Sequence, residues 1–393
     1  MFKKILALVL ALVMVTAVFA SCGKKDDNND GGDVTGTIKI GVSGPLTGGA
    51  AVYGVAVKNS AQLAVDEINA AGGMNGYQLE LIATDDAHDA TKVNTNFYNM
   101  LEQGMQVSLG CVTSDPCLEF CALSAEENVF FLTPSASNDD VPAEANAYQM
   151  CFADGNQGKV AAEYVNTLDL AKVGVFYKSD DSYSKGIFEQ FKANLNQSIE
   201  TVETVFTTAN ETDFSTQIST LKDCDFIFMP IYYTPASLFM IQAKDIMSAN
   251  TIYYGCDGFD GIESAEGFDI NSIPQEVTML SHFNSKATEG KAAEYITKYT
   301  EKYGADTLNQ FGASAYDCIY ALVAAMEKAV DNGEEITPAT EASDLCDMLI
   351  EIFEDGFTFS GGVTGEEGSA ISWDESGYVQ KIAVKYIIKE ANA

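Results

Sequence analysis

Basic side chains are scarce in this chain. Its 393 residues carry 22 Lys and Arg against 57 Asp and Glu, a formal charge of −35. A surface this acidic repels phosphate backbones, which argues against nucleic acid as a partner. Histidine is rarer still. His88 and His282 are the two in the sequence, so a general base or an imidazole metal ligand has few candidates. The familiar catalytic signatures are missing. There is no P-loop, no H-E-x-x-H and no G-x-S-x-G, and "GVSGP" from Gly41 lacks the final glycine. The stretch "GCVTSDPCLEFC", residues 110–121, gathers Cys111, Cys117 and Cys121, but without C-x-x-C spacing or an evident fourth metal ligand. Cys117 and Cys121, four apart, are expected on one helix face. His88, in "DDAHDA", reads as a solvated loop histidine. These absences predict no catalytic residue, no metal and no cofactor.

Apolar residues make up 47% of the chain, which excludes disorder and supplies a sizeable core. The chain opens with Lys3 and Lys4, then an apolar run from Ile5 to Phe19, short for a membrane span. Phe19-Ala20-Ser21-Cys22 resembles a bacterial lipobox, with Phe19 in place of the usual aliphatic residue. It implies a signal peptide over residues 1–21, a lipid on Cys22, and work outside the cytoplasm anchored to a membrane. Residues 22–36 are polar and aperiodic and are expected to be a tether. Asp26, Asn28, Asp30 and Gly31 fit the opening of an EF-hand loop, but Thr37 stands where the twelfth-position Glu is needed. Eight further cysteines lie in the body. A domain of this size does not depend on disulfide staples, so they are expected to be mostly free, small hydrophobes.

Short apolar strands, each running into a polar loop, fill the rest. "TIKIGV", "YQLELIA", "QVSLGC" and "NVFFLT" form one series, and "KVGVFY", "DFIFMP" and "TIYYG" form a second. Near-continuous apolar strands point to parallel sheets buried on both faces. Helical periodicity lies between them: Val57, Ala61, Ala64, Val65 and Ile68 mark one face, and Gly72-Gly73 ends that helix. This predicts an α/β fold of two doubly wound parallel-sheet lobes. Residues 283–345 read as mainly helical. "SAISWDESGYVQKIAVKYIIK" near the end reads as a hairpin turning at "DESG".

In open α/β sheets, ligands bind beyond the carboxyl ends of the strands. There the chain places Thr113 and Ser114 ahead of Pro116, and Ser135, Ala136 and Ser137 in "TPSASN". Hydroxyls beside free backbone N–H groups suit an anion; Ser114 also reads as a plain helix N-cap. Asp257 in "GCDGFDG" follows a strand and suits an ammonium. Asp154 in "FADGNQG" sits at the passage between lobes. Tyr53, Tyr183 and Tyr232, read at or just past strand ends, suit a small-molecule cleft.

Taken in order, "IKIGVSGPLTGGAAVYG", "AVDEINAAGGMNGYQLELIATDDAHDA", "FFLTPSASN", "DGNQG", "YYTPASLFMIQAK", "CDGFDG" and "ISWDESG" resemble the substrate-binding proteins of branched-chain amino-acid ABC transporters, class I periplasmic binding proteins, over about residues 37–390. The resemblance implies two lobes, 37–153 plus 283–366 and 154–282 plus 367–393, joined by a three-segment hinge and closing on ligand. It implies that Ser114, Ala136 and Ser137 hold an α-carboxylate, that Asp257 meets the α-ammonium beside Tyr232 and Asp154, and that Tyr53, Val112 and Tyr183 line the side-chain pocket. Asp257 stands where the family often has Glu, one methylene longer. His88 stands where relatives can carry a disulfide cysteine. A monomer delivering its amino acid to an ABC permease is the expected role. A receptor for amides, urea or organic acids is the alternative, and a Cys or Ser hydrolase lacks a credible base.

Overall fold

The computed structural model describes residues 36–392. The lipobox at Cys22, the signal peptide and most of the tether lie outside the described residues.

Two sheets organise the chain. In the first lobe, β1 (Thr37–Gly44), β2 (Gln78–Asp85), β3 (Val107–Cys111), β4 (Phe131–Thr133) and β5 (Ala147–Gln149) pair in the order β2-β1-β3-β4-β5, all parallel. Between them run α1 (Ala51–Ala70), α2 (Val93–Glu102) and α3 (Ser114–Glu126). β3 is buried at every residue, as a strand covered on both faces must be. In the second lobe, α4 (Asp154–Asn166) leads into β6 (Lys172–Lys178), α5 (Ser182–Asn194), β7 (Glu200–Phe206), α6 (Ser215–Leu221), β8 (Phe226–Met229), α7 (Tyr233–Ala243), β9 (Ile252–Gly255) and β10 (Glu276–Ser281). The chain then crosses back through α8 (Gly290–Tyr303), α9 (Gln310–Asp331) and α10 (Ala342–Glu354), and α9 packs on α1 of the first lobe. A two-stranded ladder, β11 (Thr358–Phe359) with β12 (Ile371–Ser372), follows. β13 (Val384–Lys389) closes the second sheet as an antiparallel edge, in the order β13-β10-β9-β8-β6-β7.

The α/β reading holds: both sheets are parallel but for β13. Within the two sheets, β5, β7 and β10 were not read from the sequence: β5 has only three residues, β10 mixes Glu, Thr and Ser with its apolar residues, and β7 ("ETVETVF") is half-polar, with exposed residues at Glu200, Glu203 and Val205 on the sheet edge. The expected terminal hairpin exists only as a bridge between Trp373 and Val379 around a turn at Asp374–Gly377. Its second half leaves for the other sheet as β13, where backbone groups on β10 await pairing. The ring N–H of Trp373 donates to Gln149 O at 2.7 Å, and the Tyr378 hydroxyl donates to Asp139 O at 2.5 Å. Residues 371–379 therefore side with the first lobe, and the last crossing falls beyond the expected 366/367 boundary, near Lys381.

Three crossings join the lobes, and one buried side chain ties them together. The Lys381 Nζ donates to Met150 O at 2.8 Å in the first crossing and to Thr364 Oγ1 at 2.5 Å. The Thr364 hydroxyl in turn donates to Asp317 Oδ2 at 2.5 Å, and Gly365 N–H donates to His282 O in the second crossing at 2.7 Å. Burial lowers the Lys381 pKa to about 8, against the pull of Asp317. α4 and α5 lie so close that a Cβ on Gly158 would sit 2.4 Å from Ile187 O, so only glycine fits there.

The body's eight cysteines are buried free thiols. Cys111, Cys117 and Cys121 pack with Phe97, Phe120 and Phe131 beneath the β3–α3 turn. Burial pushes the Cys111 thiol far up, and a hydrogen bond with Cys117 followed by burial does the same to Cys121. Such thiols are packing groups rather than nucleophiles. Among the described residues no cluster of three or more His, Cys, Asp or Glu has metal-holding geometry. Among them, too, no helix is long and apolar enough to cross a membrane.

Candidate functional site

The cleft between the lobes is nearly closed, a narrow cavity of about 10 Å³ walled by Tyr53, Val112, Ser114, Ser137, Tyr232 and Asp257 among others. Its first-lobe wall is built where β3 turns into α3. Thr113 is the N-cap residue (φ −112°, ψ 153°), yet its side chain makes no cap bond. Ser114 is therefore the first helical residue and not the cap. The N–H groups of Ser114 and Asp115 have no protein partner among the described residues, and Pro116 supplies none. This helix end presents donors and a partial positive charge to the cavity.

The neighbouring loop behaves differently from expectation. Ala136 N–H donates to Thr133 Oγ1 at 3.1 Å, and Ala136 O accepts from Gln149 Nε2 at 2.9 Å. Its N–H is taken inside the lobe, so Ala136 has no backbone donor for a carboxylate; Ser135 and Ser137, either side of it, reach the cavity instead. The signal that would have found this is Thr133, a hydroxyl at a strand end three residues back, placed to close a local turn on Ala136 N–H.

The second-lobe wall is acidic and aromatic. Asp257 begins the short turn after β9. Its Oδ1 accepts from the Tyr183 hydroxyl at 2.6 Å, its N–H donates to Gln157 Oε1 at 2.9 Å, and its Oδ2 is buried with no partner. Burial raises its pKa to about 6, against the Tyr183 bond. Asp154, the first residue of α4, is buried with neither carboxylate oxygen partnered. Burial, then the Asp257 charge, raise its pKa well above the carboxylate range. It does not itself reach the cavity surface. Gln157 Nε2 is a further unpartnered buried donor. Asp257 Oδ2 is thus the unpartnered acceptor at the cavity wall, with the Asp154 carboxyl buried nearby. A Cβ on Gly258 would lie 2.5 Å from the Tyr183 hydroxyl, which explains the glycine of "CDGF".

The tyrosines belong to helix starts rather than strand ends. Tyr53 lies in the first turn of α1, Tyr183 is the second residue of α5, and Tyr232 is the N-cap residue of α7. Tyr183 and Tyr232 stack with ring centroids 4.6 Å apart at 7°. The Tyr53 hydroxyl crosses the cleft, donating to Gly258 O at 2.5 Å and accepting from Tyr233 N–H at 3.2 Å. Phe311, from the start of α9, packs edge-on to Tyr53 at 4.9 Å and lines the cavity. Sequence reasoning missed it, because nothing in "NQFGAS" marks a helix that returns from another part of the chain. His88, read as solvated, is half-buried at the cleft. Its Nδ1 shares a 2.9 Å hydrogen bond with Thr113 Oγ1, and its ring meets Tyr232 edge-on at 5.2 Å.

A family model described as "Periplasmic binding protein" matches residues 37–370. The chain belongs to the periplasmic binding protein family. Among curated relatives, the Leu/Ile/Val-binding protein BraC3 of Rhizobium johnstonii is 29% identical over 86% of this chain and 92% of its own length. Among solved structures, the branched-chain amino acid transporter substrate-binding protein of Streptococcus pneumoniae, in complex with isoleucine, superposes with a TM-score of 0.75 at 26% identity, covering 91% of this chain and 96% of that one. A Rhodopseudomonas palustris solute-binding protein in complex with benzoate shares the fold, with a TM-score of 0.76 at 15% identity over 91% of this chain and 94% of that one. The two-lobed architecture of the periplasmic binding proteins is thus shared across relatives whose bound ligands differ, and the residues of the cleft must carry any statement about ligand.

Proposed function

We propose that this binding protein captures an amino acid, branched-chain or otherwise apolar, between its lobes and delivers it to an ABC permease from outside the cytoplasm, as a monomer tethered by a lipid on Cys22. The observation that carries the reading is the opposite polarity of the cleft walls. On the first lobe, the free N–H groups of Ser114 and Asp115, with the Ser114 and Ser137 hydroxyls, suit a carboxylate. On the second, Asp257 Oδ2 suits an ammonium, with the buried Asp154 carboxyl nearby. The chain contains no arginine, and no lysine lines the cavity, so hydroxyls and backbone dipoles must bind the anion. Tyr53, Val112, Phe311 and the stacked Tyr183–Tyr232 pair give the rest of the ligand an apolar wall. The Asp257 carboxylate at the cavity favours an ammonium-bearing ligand over an amide, urea or a bare organic acid.

No covalent chemistry is needed. The ligand binds one lobe, the other closes, and the closed form gains because it alone satisfies both ends of a zwitterion. The test is a thermal-shift panel of amino acids, amides, polyamines and sugars. At a hundredfold excess over Kd a true ligand adds about 2.7 kcal/mol to stability. The reading falls if an amide or organic acid raises the melting temperature while no amino acid does. Export and anchoring are checked separately, by mass spectrometry of the membrane fraction for a lipid-modified Cys22.

A further inference from the structure

We propose that His88 is a positioning residue for the anion-binding end of α3 and a latch for the closed cleft, an inference that rests on the carboxylate being held at that helix end. Thr is a residue that ordinarily caps a helix through its own hydroxyl, accepting from the N–H of the second or third helical residue. At α3 the third is Pro116, with no N–H, so Asp115 N–H is the one donor the Thr113 hydroxyl could take. It does not take it. Thr113 Oγ1 is turned to His88 Nδ1 at 2.9 Å, and Asp115 N–H, next to the cavity-lining Ser114, stays without a partner among the described residues. The imidazole thus removes an internal competitor from the ligand's anion seat.

The loop is built to hold the ring there. Ala87 and His88 both have left-handed backbone, φ 51° and 60°. Their N–H groups donate at 2.9 Å to Asp85 Oδ1 and Asp86 Oδ1, and Asp86 is fixed by the Ser43 hydroxyl, also at 2.9 Å. Burial, then the nearby Lys178 ammonium, lower the imidazole pKa, which keeps the ring neutral against Asp115, Glu211 and Asp89. The other edge of the ring meets Tyr232 of the opposite lobe, which stacks on Tyr183, which holds Asp257. One side chain therefore touches the donor end of the site directly and the acceptor end through two rings.

Three variants of the full-length protein separate the roles, with L-leucine as the calorimetric probe. His88→Ala frees the Thr113 hydroxyl to cap Asp115 N–H and is expected to weaken binding roughly tenfold. Adding Thr113→Val removes the competitor, and most of that loss is expected to return. His88→Asn, which tolerates the left-handed backbone and retains a partner for Thr113, is expected to lose only the ring contact, about threefold. A ligand-free readout stands apart from the identity of the ligand. Amide hydrogen exchange at Asp115 is expected to be fast in wild type, protected in His88→Ala, and fast again in the double variant. Unchanged Asp115 exchange in His88→Ala, or no recovery on adding Thr113→Val, overturns the proposal. If wild type binds no amino acid while the exchange pattern holds, the functional reading fails and the positioning role stands.

Discussion

The two walls of the cleft are built from similar parts and end up opposite in character. Each is a parallel sheet whose strands stop at a turn and feed a helix. On the first lobe the turn exposes the end of α3, and the open groups there are donors: Ser114 N–H, Asp115 N–H and serine hydroxyls. On the second lobe α4 begins near the site with the buried Asp154, and the open group at the cavity wall is an acceptor, Asp257 Oδ2. The same architecture thus presents a positive or a negative face according to which side chains occupy the first turn. On the proposed function, a zwitterion would span both only when the lobes meet, which would make closure and recognition one event.

Changing the acceptor wall should break this contrast most severely. Asp257→Asn removes the charge facing the ammonium and is expected to weaken amino-acid binding roughly 100-fold by calorimetric titration. Because its carboxyl is buried with a raised pKa, the same variant should keep or raise its melting temperature at neutral pH. A loss of both would mean that Asp257 is structural and the wall's polarity incidental.

Acid should act on the same wall. Asp257 titrates at about 6 in the folded protein against an ordinary value of 3.8. Below the folded pKa the ammonium loses its counter-charge, so affinity is expected to fall about tenfold between pH 7 and pH 5. Stability should move the other way. Between the unfolded and folded values the native state holds a proton that the unfolded chain does not, so this group's contribution is fully present below about pH 4 and is lost as pH rises through about 6. The difference in unfolding free energy between wild type and Asp257→Asn, measured from pH 4 to 7.5, isolates that term. A flat difference would remove Asp257 from the titrating pair.

The donor wall is softer, since its charge is shared among dipoles. Ser114→Ala deletes one hydroxyl and leaves the N–H groups, for an expected loss of about 1–1.5 kcal/mol, near tenfold. Tyr53→Phe should cost least, about fivefold, because it touches closure and not the charged ends: it leaves Gly258 O and Tyr233 N–H without their shared partner. Small-angle scattering of the liganded variant should then show a larger open fraction. Unaltered scattering and affinity would demote Tyr53 to packing.

Much of the fold was legible because buried parallel strands leave continuous apolar runs, as in "QVSLGC" and "DFIFMP". Edge and short strands such as β7 and β5 were not, because a half-exposed or three-residue strand lacks that signature. The cleft was legible in part. Ser114, Ser137 and Asp257 lie within four residues of a strand end, and a strand's carboxyl end predicts its own neighbourhood. Ala136 was misread because its backbone partners, Thr133 and Gln149, are chosen by the local turn and by a strand that follows later. Phe311 and the His88–Thr113–Tyr232 contact were out of reach, since they join elements far apart in the chain.

By itself the sequence determined the alternation of strand and helix, the acidity of the chain, the scarcity of catalytic groups, and which residue types stand at each strand end, all properties of local order and composition. Only the tertiary structure decided which hydroxyl caps a helix and which is diverted, that a buried network through Lys381 and Thr364 links the three crossings, and that Asp154 lies buried near Asp257. Those outcomes depend on distance and burial between segments up to hundreds of residues apart, and free N–H groups or unpartnered carboxylates acquire their meaning from what the fold brings opposite them.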